Sequence, residues 1–77
     1  MTKNPRVSIG IPVHNEQEVL PELLRRLSAV LEGIPDGPHE VVFVDDGSTD
    51  RTAEILAAAR ISNAAVALIR LSRNFGH

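Results

Sequence analysis

Hydrophobic positions along this chain recur with two different periods, and the changes of period mark out its elements. In residues 6–12, Val7, Ile9 and Ile11 alternate with small or polar residues, a period of two that predicts a strand ended by Pro12, which cannot donate to a ladder. From there the period lengthens. Leu20, Leu23, Leu24, Leu27, Val30, Leu31 and Ile34 fall at three- and four-residue steps, while Glu22, Arg25, Arg26 and Glu32 lie off their face, so a long amphipathic helix is predicted. Asn15 followed by Glu18 has the form of a capping box, yet Pro21 would then sit inside the helix; either the regular helix begins near Pro21 or it bends there.

The turn formers of Gly33-Ile-Pro-Asp-Gly-Pro38 end that helix. Next comes Glu40-Val-Val-Phe-Val-Asp45, a continuous apolar run of the kind that a parallel sheet covers on both faces. Asp46-Gly-Ser-Thr-Asp50 is a turn offering Ser48, Thr49 and Asp50 as N-caps. A short alanine-rich helix is predicted over 51–60, with Ile55, Leu56 and Ala59 on one side. Ser62-Asn63 breaks it, residues 65–72 read as a third strand, and 73–77 as a loop. Strands alternating with helices across short connections predict an α/β fold, order β-α-β-α-β, with parallel strands and right-handed crossovers: the first half of a doubly wound domain.

With 77 residues, 43% of them hydrophobic and 23% charged, the chain is too apolar for disorder and too short for more than one domain. A chain this small with no disulfide or metal staple is expected to be the front part of a larger domain. The lack of cysteine removes thiolate chemistry and cysteine-held zinc, and a net charge of -2 gives no basic footprint for nucleic acid. The longest apolar run, 64–69, falls far short of the ~20 residues a membrane-spanning helix requires. Residues 1–6 carry no signal-peptide pattern, so a cytoplasmic location is expected.

In open parallel sheets, ligands bind beyond the carboxyl ends of the strands. That rule singles out residues 12–16, 45–50 and 72–77, the densest polar clusters of the chain, and predicts that they converge on one edge. Asp45 and Asp46 are adjacent carboxylates at the end of a buried strand; they repel each other and must be hydrated, hydrogen-bonded or paired with a ligand. A carboxylate there can accept from the ring N–H of a uracil or guanine, or hold a ribose hydroxyl, and Gly47 permits close backbone approach. The plain alternative is a turn and a helix cap. Asn15 and Glu16 have equally plain uses at a helix start, while His14 is either a solvated loop residue or a group that stacks on a base or donates to a phosphate. His39 and His77 add no metal-ligand spacing. Arg73, near Arg60 and Arg70, can face a phosphate or stay solvated. The G-x-G-x-x-G, phosphate-loop and G-x-S-x-G signatures are missing, which sets aside dehydrogenase, NTPase and hydrolase readings.

Three segments together, Val7-Ser-Ile-Gly-Ile-Pro-Val-His-Asn-Glu16, Glu40-Val-Val-Phe-Val-Asp-Asp-Gly-Ser-Thr-Asp50 and Arg70-Leu-Ser-Arg-Asn-Phe-Gly76, resemble the opening of family 2 glycosyltransferases. The likeness is to the branch of dolichol-phosphate mannose synthase and polyprenyl-phosphate glucosyltransferases, whose P-x-Y-N-E, D-D-G-S-x-D and R-N-F-G segments occur here in order, with His14 in place of the tyrosine. The resemblance implies the N-terminal half of a Rossmann-like GT-A domain. It also implies an inverting transfer of a hexose from a nucleotide diphosphate sugar to a polyprenyl (dolichyl) phosphate at the cytoplasmic membrane face. Carried onto this sequence, Pro12, His14 and Glu16 line the nucleotide pocket, Val44 borders the base, Asp46 reads it, and Asp45 sits beside it.

In that family the D-x-D segment that binds Mg2+ or Mn2+ belongs to a later strand, as do the acceptor and catalytic parts. Residues 1–77 are therefore expected to hold no metal and, alone, to transfer no sugar. The outer neighbour of the first strand would also come later, so its open edge is expected to invite self-association. Two other readings stay open. One is a receiver-like phosphoacceptor, where the acid pair would follow the first strand instead of the second; the other is a non-catalytic α/β interaction module without nucleotide affinity.

Overall fold

The computed structural model describes residues 7–71. Strand β1 (Ser8–Val13), helix α1 (Leu20–Glu32), strand β2 (His39–Asp46), helix α2 (Thr52–Ala57) and strand β3 (Ala64–Leu71) follow one another in the predicted order. The strands form one sheet, β1-β2-β3, parallel throughout. Its register sets Ile9 beside Val41 and Ile11 beside Phe43, then Val41 beside Val66 and Phe43 beside Leu68.

Pleating divides these side chains between two faces. One face meets both helices: Leu20 and Leu31 of α1 and Leu56 of α2 join Val13, Val41, Phe43 and Ile61 in the buried core. Burying a side chain such as Phe43 is worth roughly 1.5–3 kcal/mol relative to exposure, and this cluster is what holds the helices down. The opposite face carries Pro12, Val42, Val44, Asp46, Ala65, Ala67 and Ile69; there Val42 and Val44 are half-buried and the β3 residues exposed. Among the described residues, then, β2 is covered on one face, where its apolar run predicts cover on both.

Helix α1 begins at Leu20 with Pro21 in its first turn, where a missing N–H removes no intrahelical bond. The capping box does not form. Val19 is the N-cap and makes no side-chain bond, and the carbonyl of Glu16 accepts from the N–H groups of Val19 and Leu20 at 3.0 and 3.1 Å. Val30 lies at the margin of the apolar stripe and is 59% exposed, not packed as its spacing suggested. On the outer face, Arg25 and Arg26 flank Glu22 at 2.5 and 2.7 Å and hold its carboxyl down at about 2, although such exposed pairs add little stability. Helix α2 stops at Ala57, short of the predicted 60, because the N–H groups of Ala58 and Ala59 bond to Ile55 and Leu56 three residues back; the chain then turns Ile61 into the core.

His39, which falls between the predicted turn and the predicted strand, is the first residue of β2 and only 1% exposed. Its Nδ1 accepts the Val7 N–H at 3.1 Å and its Nε2–H donates to the carbonyl of Ile34 at 3.0 Å. Asn63 completes this foot of the sheet: its Nδ2 donates to the carbonyls of Leu31 and Ile34, and its own carbonyl accepts the His39 N–H. The side chains of His39 and Asn63 thus add donors to the carbonyls of Leu31 and Ile34 at the end of α1. Replacing His39 with leucine preserves bulk but orphans the Val7 N–H, so a loss of about 1–3 kcal/mol is expected, read as a lower urea midpoint.

Because the Val7 carbonyl accepts from the Glu40 N–H, the odd-numbered residues of β1 turn their backbone groups toward β2, and Ser8, Gly10 and Pro12 turn theirs outward. Pro12 therefore removes nothing from the β1–β2 ladder. No helix among the described residues is long and apolar enough to cross a membrane.

Candidate functional site

The loops leaving the carboxyl ends of β1 and β2 meet and are stitched together. His14 Nδ1–H donates to the Asp46 carbonyl at 2.7 Å. The Asn15 N–H donates to Ser48 Oγ at 2.8 Å, and Asn15 Oδ1 accepts the N–H groups of Thr49 and Asp50 at 2.8 and 3.3 Å. Glu16 N–H reaches Thr52 Oγ1 at 2.7 Å, Gln17 N–H reaches Asp50 Oδ2 at 3.2 Å, and Arg51 N–H reaches Gln17 Oε1 at 2.9 Å. The turn depends on two left-handed residues, Asn15 at φ 52° and Gly47 at φ 70°, types that tolerate this region.

Strand alternation separates the two adjacent acids, whose charges would otherwise repel. Asp45 points to the helix side and is 0% exposed; its Oδ1 accepts from both the N–H and the hydroxyl of Ser48. Its Oδ2 makes no hydrogen bond, but the largely exposed Arg70 brings Nε to 3.5 Å of it. Asp46 lies on the opposite, helix-free face with Pro12 and Val44, which are partners in register across β1 and β2. Pro12, His14, Val44 and Asp46 are thereby gathered at one corner of the sheet, with Glu16 following on the same loop, while Asp45 sits beneath. The third expected cluster, including Arg73 and His77, lies outside the described residues.

Beside the lock, Asn15, Glu16, Gln17, Glu18, Val19 and Asp50 line a recess of about 240 Å³. A broader recess of about 880 Å³ lies at the foot of the sheet around Ile34, Pro35, Asp36 and Asn63, the wrong end for a ligand of a parallel sheet. Sequence reasoning did not single out Gln17, Ser48 and Thr52 as parts of a lock, and it read Asn15 as a cap. Asparagine's tolerance of positive φ was the available signal.

Partial removal from water pushes the carboxyl of Asp50 up, but hydrogen bonds from Thr52 and from the Gln17 N–H outweigh this and hold it below the ordinary aspartate value. A depressed folded value means that the contribution of Asp50 is complete above the ordinary aspartate range and fades as pH falls through the lowered one. The Gln17 and Thr52 amide resonances are therefore expected to titrate with a midpoint below that of a free aspartate. A midpoint at or above it would contradict the hydrogen bonding.

Residues 8–77 match the family model described as glycosyl transferase family 2. The chain belongs to glycosyltransferase family 2. It is similar to undecaprenyl-phosphate 4-deoxy-4-formamido-L-arabinose transferase of Sodalis glossinidius (strain morsitans), with 48% identity over 75 residues, 96% of this chain and 23% of that protein. The transferase of the same name from Pseudomonas paraeruginosa (strain DSM 24068 / PA7) is 51% identical over 71 residues, 91% of this chain and 21% of that protein. This family 2 chain thus spans about 23% of the length of the first of these curated relatives. No solved structure matches it. Its three parallel strands in β-α-β-α-β order agree with the N-terminal part of the family's Rossmann-like GT-A domain. Among the described residues, no three His, Asp or Glu side chains gather closely enough to hold a metal ion.

Proposed function

We propose that this chain is the nucleotide-binding N-terminal part of an inverting transferase that moves a sugar from a nucleotide diphosphate to a polyprenyl phosphate. One observation carries the reading: Pro12, Val44, His14 and Asp46 share a corner at the carboxyl ends of β1 and β2, on the face that the helices leave bare. A base lying on Pro12 and Val44 offers its ring N–H to the Asp46 carboxylate, with the imidazole of His14 available to stack and Glu16 walling the loop side. Asp45 acts from below, by holding Ser48.

The acceptor is supported by the relatives, whose names carry undecaprenyl phosphate. Their sugar is a formamido-arabinose, built on five carbons, whereas the sequence motifs suggested a hexose; donors of both kinds belong in the assay. A cation offsetting charge on the leaving diphosphate takes its ligands from outside the described residues. An acceptor of this class puts the working protein at the cytoplasmic membrane face.

Titrating the full-length protein with uridine and guanosine diphosphate sugars, with and without manganese, and following transfer to undecaprenyl phosphate tests the reading. One nucleotide should bind, and the full-length protein, but not residues 1–77 alone, should transfer sugar. Absence of nucleotide binding would overturn the proposal, and phosphorylation by acetyl phosphate would favour the receiver-like alternative instead.

A further inference from the structure

The amide of Asn15 is used at both ends. Its Oδ1 takes the N–H groups of Thr49 and Asp50, and its Nδ2 lies 3.4 Å from Nε2 of His14. A carbonyl only accepts, so the His14 nitrogen facing the Asp46 carbonyl, Nδ1, carries the proton, and Nε2 is left as an acceptor for Asn15. One side chain therefore ties the loop after β2 to the loop after β1 and orients the ring between them. Its left-handed backbone, φ 52°, is what lets the amide face the other loop.

We propose that Asn15 is a positioning residue of the nucleotide site: it touches no ligand, but fixes the separation and orientation of His14 and Asp46 so that both meet the same nucleotide. This rests on the nucleotide-binding reading above. A helix cap does not describe it, because α1 begins at Leu20 and takes no side-chain cap. Nor is the lock a mere turn, since Thr49 lies 34 residues from Asn15 along the chain.

A double-mutant cycle on the full-length protein distinguishes this role from a general structural one. Uridine and guanosine diphosphates serve as probes in titration calorimetry, with thermal unfolding measured beside it. Asn15→Gly keeps the positive φ and deletes the whole amide; Asn15→Asp keeps the φ and the acceptor for Thr49 and Asp50 but not the donor to His14. Losing the two hydrogen bonds to Oδ1 and the longer one from Nδ2 should weaken nucleotide binding about tenfold in Asn15→Gly, with Asn15→Asp, which restores the Oδ1 acceptor alone, recovering part of the affinity. In an Asp46→Asn background, Asn15→Gly should cost about twofold or less, because the group it positions is already impaired. Multiplying effects, or unchanged binding in Asn15→Gly, would overturn the assignment while leaving the nucleotide site standing. A wild-type protein that binds neither probe would remove the site itself.

Discussion

Asparagine at position 46 is expected to cut nucleotide affinity by about ten- to a hundredfold, since a hydrogen bond to a charged acceptor is worth about 1.5–3 kcal/mol and each 1.4 is a factor of ten. Folding should scarcely register the change. Asp46 is half-buried on the helix-free face, asparagine has its shape, and the carbonyl that holds His14 belongs to the backbone and stays. Calorimetric titration of Asp46→Asn against the parent, with thermal unfolding of both, checks the two halves of this expectation. A loss of affinity matched by a large drop in unfolding temperature would mean that Asp46 is a fold residue and not a reader of the base.

Its neighbour should behave in the opposite way. Asp45→Ala removes a fully buried carboxylate, leaving the Ser48 N–H and hydroxyl without their acceptor and Arg70 without its ion pair. Breaking a buried pair costs about 3–5 kcal/mol, but the Arg70 side chain is 61% exposed and can be rehydrated, which brings the expected loss to about 2–4 kcal/mol. For a chain of this length that lowers the unfolding midpoint by about 10 °C or more. Asp45→Asn retains an oxygen for Ser48 and should recover a large part of the loss. Equal destabilisation by alanine and asparagine would assign the stability to the charge facing Arg70 and not to the Ser48 bonds.

These contrasting expectations for adjacent aspartates show where sequence reading stops. Helix α1 is legible because the spacing of Leu20, Leu24, Leu27 and Leu31 is a local property, and β2 because Val41 to Val44 form an unbroken apolar run. The convergence of 12–16 with 45–50 also follows from parallel topology alone. By contrast, Asp45 and Asp46 are chemically identical in the sequence, and only the phase of the pleat tells which is buried. Asn15 and Glu18 imitate a capping box, but the amide finds better partners in a loop that the sequence places far away. His39 falls between the predicted turn and strand for a similar reason: its two ring partners, Val7 and Ile34, come from different elements.

The outward-facing backbone of β1 sets a limit on whatever chain lies alongside it. An incoming strand finds N–H donors at Ser8 and Gly10 but none at Pro12, so its ladder with β1 must lose that rung at the corner that Pro12 shares with Val44 and Asp46. The imino acid thereby works as a zipper stop, ending any such pairing one rung short of the loop that carries His14.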